Sequence, residues 1–326
     1  MFPWFLRRFA ASAALVFVLV SAVFFIVRLA PGDPLDQVVQ EEFGPEGRDL
    51  IRRQLGFDES LFQQYLRWLA ASSRGDFGTS FSQQRPVSGI IAEALPATLL
   101  LTVTAYLLHL ALAVAGAMAM TVRAGRALDH WIQGVGLTLY SVPAFWLGLM
   151  MIMLLSRKLG WFPAGGMHAP DSAYLNGWAW FGDLLRHLAL PVATLALGSF
   201  MGTARYLRTS LADVLGQDFI LAARARGLSE RRVLFGHALR NALLPVITLA
   251  GLSLPFLLGG AVVVEVVFGW PGMGRVAIEA IWERDYPVIM ATVLVSAVTV
   301  VAGSLLADIL YRWADPRVRY TGQEVA

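Results

Sequence analysis

Apolar residues along this chain gather into six stretches without aspartate, glutamate, lysine or arginine: Phe9–Val27, Ala94–Val122, Trp131–Ser156, His187–Ala204, Asn241–Val264 and Tyr286–Ala307. A helix needs about 20 predominantly apolar residues to cross the hydrocarbon core of a bilayer, with about 17 as the lower limit, and every stretch reaches it. The pattern predicts six transmembrane helices. Pro143, Pro191, Pro245 and Pro255 fall inside these stretches. In water they would break helices, whereas neighbours in a membrane bundle can satisfy the carbonyls they free.

Two of the intervening segments are long. Segment 31–94 opens on the turn Pro31-Gly32-Asp33-Pro34, and further on Leu61, Tyr65, Trp68 and Leu69 share one helical face. That spacing predicts an amphipathic helix on the membrane or the bundle mouth, with a plain linker as the alternative. Segment 205–240 carries seven arginines and reads as two short helices around Gly227. Asp218 to Arg226 is helix-forming, Gly227 suits a left-handed helix end, and Ser229 suits the cap of the next helix. Ala222 and Ala223 are small enough to let another surface approach. A solvated arginine-rich loop is the alternative.

Composition agrees with a bundle in lipid. The chain is 57% hydrophobic and 15% charged, against about 45–50% and 25% in ordinary soluble domains. Arginine placement gives the orientation. With the N-terminus inside, segments 1–8, 123–130, 205–240 and 308–326 hold 14 of the 26 basic residues, and an inside excess of arginine and lysine marks the cytoplasmic face. Both termini are therefore expected in the cytoplasm. The 19 uncharged residues Phe9–Val27 exceed the core of a signal peptide, so the first helix reads as a retained anchor. The expected organisation is an anchor helix over 1–30, an extracytoplasmic segment over 31–94, and a core over 95–326 with the cytoplasmic loop 205–240.

Several chemistries are excluded. The chain has no cysteine, hence no thiolate nucleophile and no Cys-based metal site. Its arginines are dispersed rather than gathered in a tract, which argues against nucleic acid. The only lysine, Lys158, sits in Arg157-Lys158-Leu159 and cannot complete a Gly-Lys-Ser/Thr phosphate loop. The histidines His109, His130, His168, His187 and His237 form no metal spacing. His109 falls mid-stretch and reads either as a functional intramembrane group or as a neutral histidine hydrogen-bonded between helices. No run centre carries a carboxylate that would couple an ion gradient, so uphill transport would need energy from another subunit.

Along nearly its whole length the chain resembles the permease subunits of binding-protein-dependent ABC importers, in the dipeptide/oligopeptide/nickel branch. Arg205-Tyr206-Leu207-Arg208-Thr209-Ser210, Asp213 to Phe219, Ala222-Ala223-Arg224-Ala225-Arg226-Gly227-Leu228 and His237 to Pro245 resemble its "EAA" loop. Leu221 stands at the nominal glutamate, as is usual in the peptide branch. Further matches are Arg74-Gly75-Asp76-Phe77-Gly78-Thr79-Ser80, Ser141 to Gly148, Glu265 to Gly274, Arg284-Asp285-Tyr286-Pro287 and Asp315-Pro316-Arg317-Val318-Arg319. Phe57-Asp58-Glu59-Ser60 departs from the usual Leu-Asp-x-Pro.

The resemblance implies an all-α, six-helix type I importer permease in the bacterial inner membrane, paired with a second homologous permease. Two ATPase subunits would bind the ATP and magnesium, so no cofactor is expected on this chain. A solute-binding protein would deliver di- or oligopeptides. Nickel, glutathione or another small solute is the alternative within the class, and a passive channel or membrane-embedded enzyme the alternative outside it. The loop bearing Asp218, Ala222, Ala223, Arg226, Gly227 and Leu228 would couple to the ATPase. Asp76, Phe77, Trp270 and Pro271 would either dock the binding protein or hold the outer loops on the bundle.

Overall fold

The computed structural model describes residues 2–29, 58–243, 246 and 261–314. Helices dominate these residues: α1 (Phe2–Leu29), α2 (Leu61–Ser72), α3 (Val87–Val122), α4 (Ala127–Ser141), α5 (Ala144–Met151), α6 (Gly177–Leu197), α7 (Phe200–Leu215), α8 (Asp218–Ala225), α9 (230–243), α10 (Ala261–Phe268), α11 (Met273–Trp282) and α12 (Tyr286–Ala314). Three are long and apolar enough to cross a bilayer, and up to six spans result if each of three broken helix pairs counts as one. The turn at 31–34, most of the stretch Asn241–Val264 and the 315–319 motif lie outside the described residues.

The third and fourth stretches are broken rather than straight. Ala127–Ser141 and Ala144–Lys158 meet at 107°. Pro143 has no N–H to give and crowds the preceding turn, and Val142 before it is extended at ψ 131. Gly177–Leu197 and Phe200–Leu215 meet at 50° across Gly198-Ser199. α6 also starts ten residues before the uncharged stretch, so Asp183 and Arg186 ride on its early turns.

The chain divides into two compact units. The first joins Met1–Thr98 with Pro271–Val301. Here α2 is the expected amphipathic helix. Its Tyr65 is buried with Val20 and Phe24 of α1 and Met290 of α12, and Trp68 and Leu69 pack alongside. The Tyr65 hydroxyl lies 2.7 Å from Ser21 Oγ. Ser60 caps α2 in a reciprocal box with Gln63, so the residue that departs from the family pattern still starts the helix.

In the same unit the motifs around Ser80 and Asp285 converge on one carboxylate. Asp285 is fully buried and its Oδ2 accepts from Ser80 Oγ at 2.5 Å, Ser82 N at 3.1 Å and Ser82 Oγ at 2.9 Å. Its Oδ1 also accepts from Val288 N at 3.4 Å, capping α12.

The second unit joins Leu99–Trp270 with Ala302–Ala326. His109 is buried, with Nδ1 2.9 Å from Ser199 Oγ and Nε2 3.0 Å from Thr203 Oγ1. Of its two readings, the structure takes the interhelical hydrogen bond. His187 is also buried; its Nδ1 is 2.9 Å from Asp183 O and 3.2 Å from Asp183 Oδ1.

Candidate coupling site

Segment 205–240 forms the two helices expected of it, α8 and α9, and Gly227 stands between them at φ +79. A side chain is disfavoured there by roughly 1 kcal/mol or more. The turn is a Schellman closure: Gly227 N donates to Arg224 O at 2.8 Å, and Leu228 N to Ala223 O at 3.4 Å. The accompanying apolar contact is present too, since Leu228 packs against the cluster that contains Ala223. Across the turn Arg224 Nε bonds Glu230 Oε1 at 2.9 Å. Ser229 occupies the cap position of α9, but its side chain makes no cap hydrogen bond.

One expectation is corrected. Ala222 is exposed, whereas Ala223 is fully buried with Ile220, Val233 and Ala238. Successive helical residues point about 100° apart, so two adjacent alanines do not share a face. Ala223 packs inward, and only Ala222 is open to a partner.

The exposed residues of α8 are Asp218, Phe219, Leu221, Ala222, Arg224 and Ala225, continued by Arg226 and Gly227. Phe219 and Leu221, which are 38% and 57% exposed, were not among the residues expected to couple. Their signal was available: they lie off the Ile220–Ala223 row that makes the inner face. A Cβ built on Gly227 meets nothing within 4 Å among the described residues.

The inner face is anchored firmly. Ile220 and Ala223 pack with Leu207, Leu211 and Val214 of α7 and with Ala117 and Met118 of α3. Ser210 Oγ donates to Ala242 O at 3.1 Å, tying α7 to α9. A push on the outer face of α8 therefore reaches apolar contacts on two long helices.

The outer candidates separate by burial. Asp76 is exposed, and its Oδ1 accepts from Gly78 N at 2.9 Å. Phe77 is half-buried against the cluster of Val87, Met273 and Tyr286. Pro271 is exposed. Trp270 is fully buried, and its N–H closes the end of α10 on Glu265 O at 2.8 Å. It offers no surface in this conformation.

Broken apolar helices with an arginine-rich loop define a polytopic membrane protein. Residues 111–320 match the binding-protein-dependent transport system inner membrane component, and residues 1–102 match the N-terminal region of such membrane components. The chain belongs to this family. It is 41% identical to the oligopeptide transport system permease protein AppB of Bacillus subtilis, covering 98% of this chain and 100% of that protein. It is 37% identical to a putative peptide permease protein of Brucella suis, over 97% and 98% of the two chains. Identity to the glutathione transport system permease protein GsiC of Escherichia coli K12 is 35%, over 98% and 100%. Inward-facing structures of the MetNI methionine ABC transporter share the fold at TM-score 0.54 and 19% identity, covering 69% of this chain and 96% of theirs. An amino acid ABC transporter does so at TM-score 0.51 and 17% identity, covering 69% and 94%.

Proposed function

We propose that this chain forms half of the membrane pathway of an ATP-driven importer for di- or oligopeptides, with both termini in the cytoplasm. The carrying observation is the end-to-end relation to the oligopeptide permease of Bacillus subtilis, 41% over 321 residues. Glutathione is the second reading, supported by the relation to the glutathione permease. A second, homologous permease completes the pathway within the surrounding lipid, and two separate ATPases bind ATP and magnesium. They seat α8 and Gly227 and rock the permeases between inward and outward states.

The division of labour has a direct test. The purified chain is expected to hydrolyse no ATP above a detergent blank, since Lys158 lies in no phosphate loop. The complex with its ATPases hydrolyses ATP, and in proteoliposomes with the binding protein it accumulates labelled trialanine. Preferential accumulation of glutathione would select the second reading, and turnover by the isolated chain would overturn both.

The orientation rests on the arginine excess in segments 1–8, 123–130, 205–240 and 308–326. Reporters active only outside the cytoplasm should work after Gly44, Ala169 or Ala280 and stay silent after Ala124, Gly227 or Gly322. Activity after Gly227 would reverse the assignment.

Asp76 and Pro271 are proposed as the docking contacts for the binding protein, with Phe77 and Trp270 shaping the loops behind them. Asp76→Lys is expected to weaken stimulation of ATPase activity by the binding protein while basal activity persists. Equal loss of both would make the loop structural.

A further inference from the structure

A cavity of about 590 Å³ opens between α4 and α7 in the second unit, lined by Gln133, Leu137 and Tyr140 on one side and Arg205, Tyr206 and Thr209 on the other. The two helices close on each other beside it, where a Cβ on Gly136 would stand 2.5 Å from Met201 Sδ. At one end Asp129 is buried and held by Gly125 N at 2.9 Å, Gln133 Nε2 at 2.7 Å and Arg208 Nη2 at 2.8 Å. Arg208 is therefore committed to a carboxylate. Arg205, one turn away on the same wall, is exposed and has no side-chain hydrogen bond or ion pair among the described residues.

Arg205 thus stands exposed on the cavity wall beside the rings of Tyr140 and Tyr206, with its guanidinium open to an anionic ligand. Guanidinium binds carboxylate through two parallel hydrogen bonds, while Tyr140 and Tyr206 offer apolar faces with polar tips. The volume lies within the range of small-molecule sites.

We propose that this cavity is a cargo subsite at the inner end of the pathway, in which Arg205 receives the free carboxylate of a short peptide. The proposal rests on the importer reading above and names residues for a pathway that the sequence left unassigned.

The chain contains no cysteine, so Thr209→Cys puts one thiol of this chain in the cavity wall. It is assembled with its partner subunits (their own cysteines removed) in detergent, and its maleimide modification rate is followed. Dialanine and trialanine are expected to slow modification, and their C-terminal amides to fail. Adding Arg205→Gln should raise the protecting concentration about tenfold or more, the scale of one charge-assisted hydrogen bond, and Arg205→Lys should recover part of it.

Equal protection by amides would overturn the carboxylate assignment. Protection by phosphatidylglycerol micelles but not peptides would assign the cavity to a lipid headgroup instead. A thiol that stays unreactive in the assembled complex, yet reacts in the isolated chain, would show a wall covered by another subunit and overturn the proposal. Uptake and ATPase assays on the same preparations judge the importer reading separately.

Discussion

Gly227→Asp is expected to abolish uptake while membrane insertion and assembly with the partner permease stay intact. The local cost is limited to the positive-φ strain, which aspartate bears better than most residues, since a Cβ there meets nothing within 4 Å among the described residues. What changes is the outer surface, where a carboxylate would project from the proposed ATPase contact. Gly227→Ala separates the two causes, because it carries the same positive-φ strain of roughly 1 kcal/mol without charge or bulk and should retain most uptake. Ala223→Glu should differ in kind. It would bury an unpaired carboxylate in the cluster with Ile220 and Val233, so the protein should be lost from the membrane rather than assembled and inactive. Normal uptake by correctly inserted Gly227→Asp would leave the turn a simple helix end.

Asp285→Ala should give the largest stability loss among outer-loop substitutions. Its buried carboxylate accepts from Ser80 and Ser82 and caps α12, and hydrogen bonds to a charged group contribute about 1.5–3 kcal/mol each. A loss of about 3 kcal/mol or more is expected, read as a lower unfolding midpoint of the purified complex and faster proteolysis within 73–86. Ser80→Ala should cost less, since Ser82 still donates twice. An unchanged midpoint for Asp285→Ala would show that the anchor does not hold the loop.

The sequence made the membrane class and the two helices around Gly227 legible because both are written in local patterns. Charge-free length sets a span, and Gly227 after a helix-forming run sets a turn. The face of α8 was harder to read, since Ala222 and Ala223 look alike until Ile220 and Val233 show which way the helix is packed. Asp285 was quoted within a motif, but its bonding depends on Ser80 and Ser82 about 200 positions away, a pairing no local period reveals. The cavity beside Arg205 was likewise invisible, because it exists only where Gly136 lets α4 meet Met201. The break at Pro143 was within reach. Proline was noted there, and the expectation that neighbours would absorb it understated the 107° turn.

That break also bears on how the chain enters the bilayer. α4 has 15 residues and α5 eight, with helical turns continuing to Lys158, so at about 1.5 Å per residue each piece reaches at most about 22 Å, less than the hydrocarbon thickness of about 30 Å. Neither piece completes a crossing alone, and the carbonyls before Pro143 lose their onward partners. Ser141 Oγ already donates to Leu137 O at 2.8 Å, and Thr138 Oγ1 to Gly134 O at 2.9 Å. These bonds fall on carbonyls inside α4 and leave those of its last turn, next to Pro143, to other partners. The remaining polar backbone needs protein neighbours before lipid can surround it, so this pair should settle into the bilayer only after α6 and α7 have been synthesised.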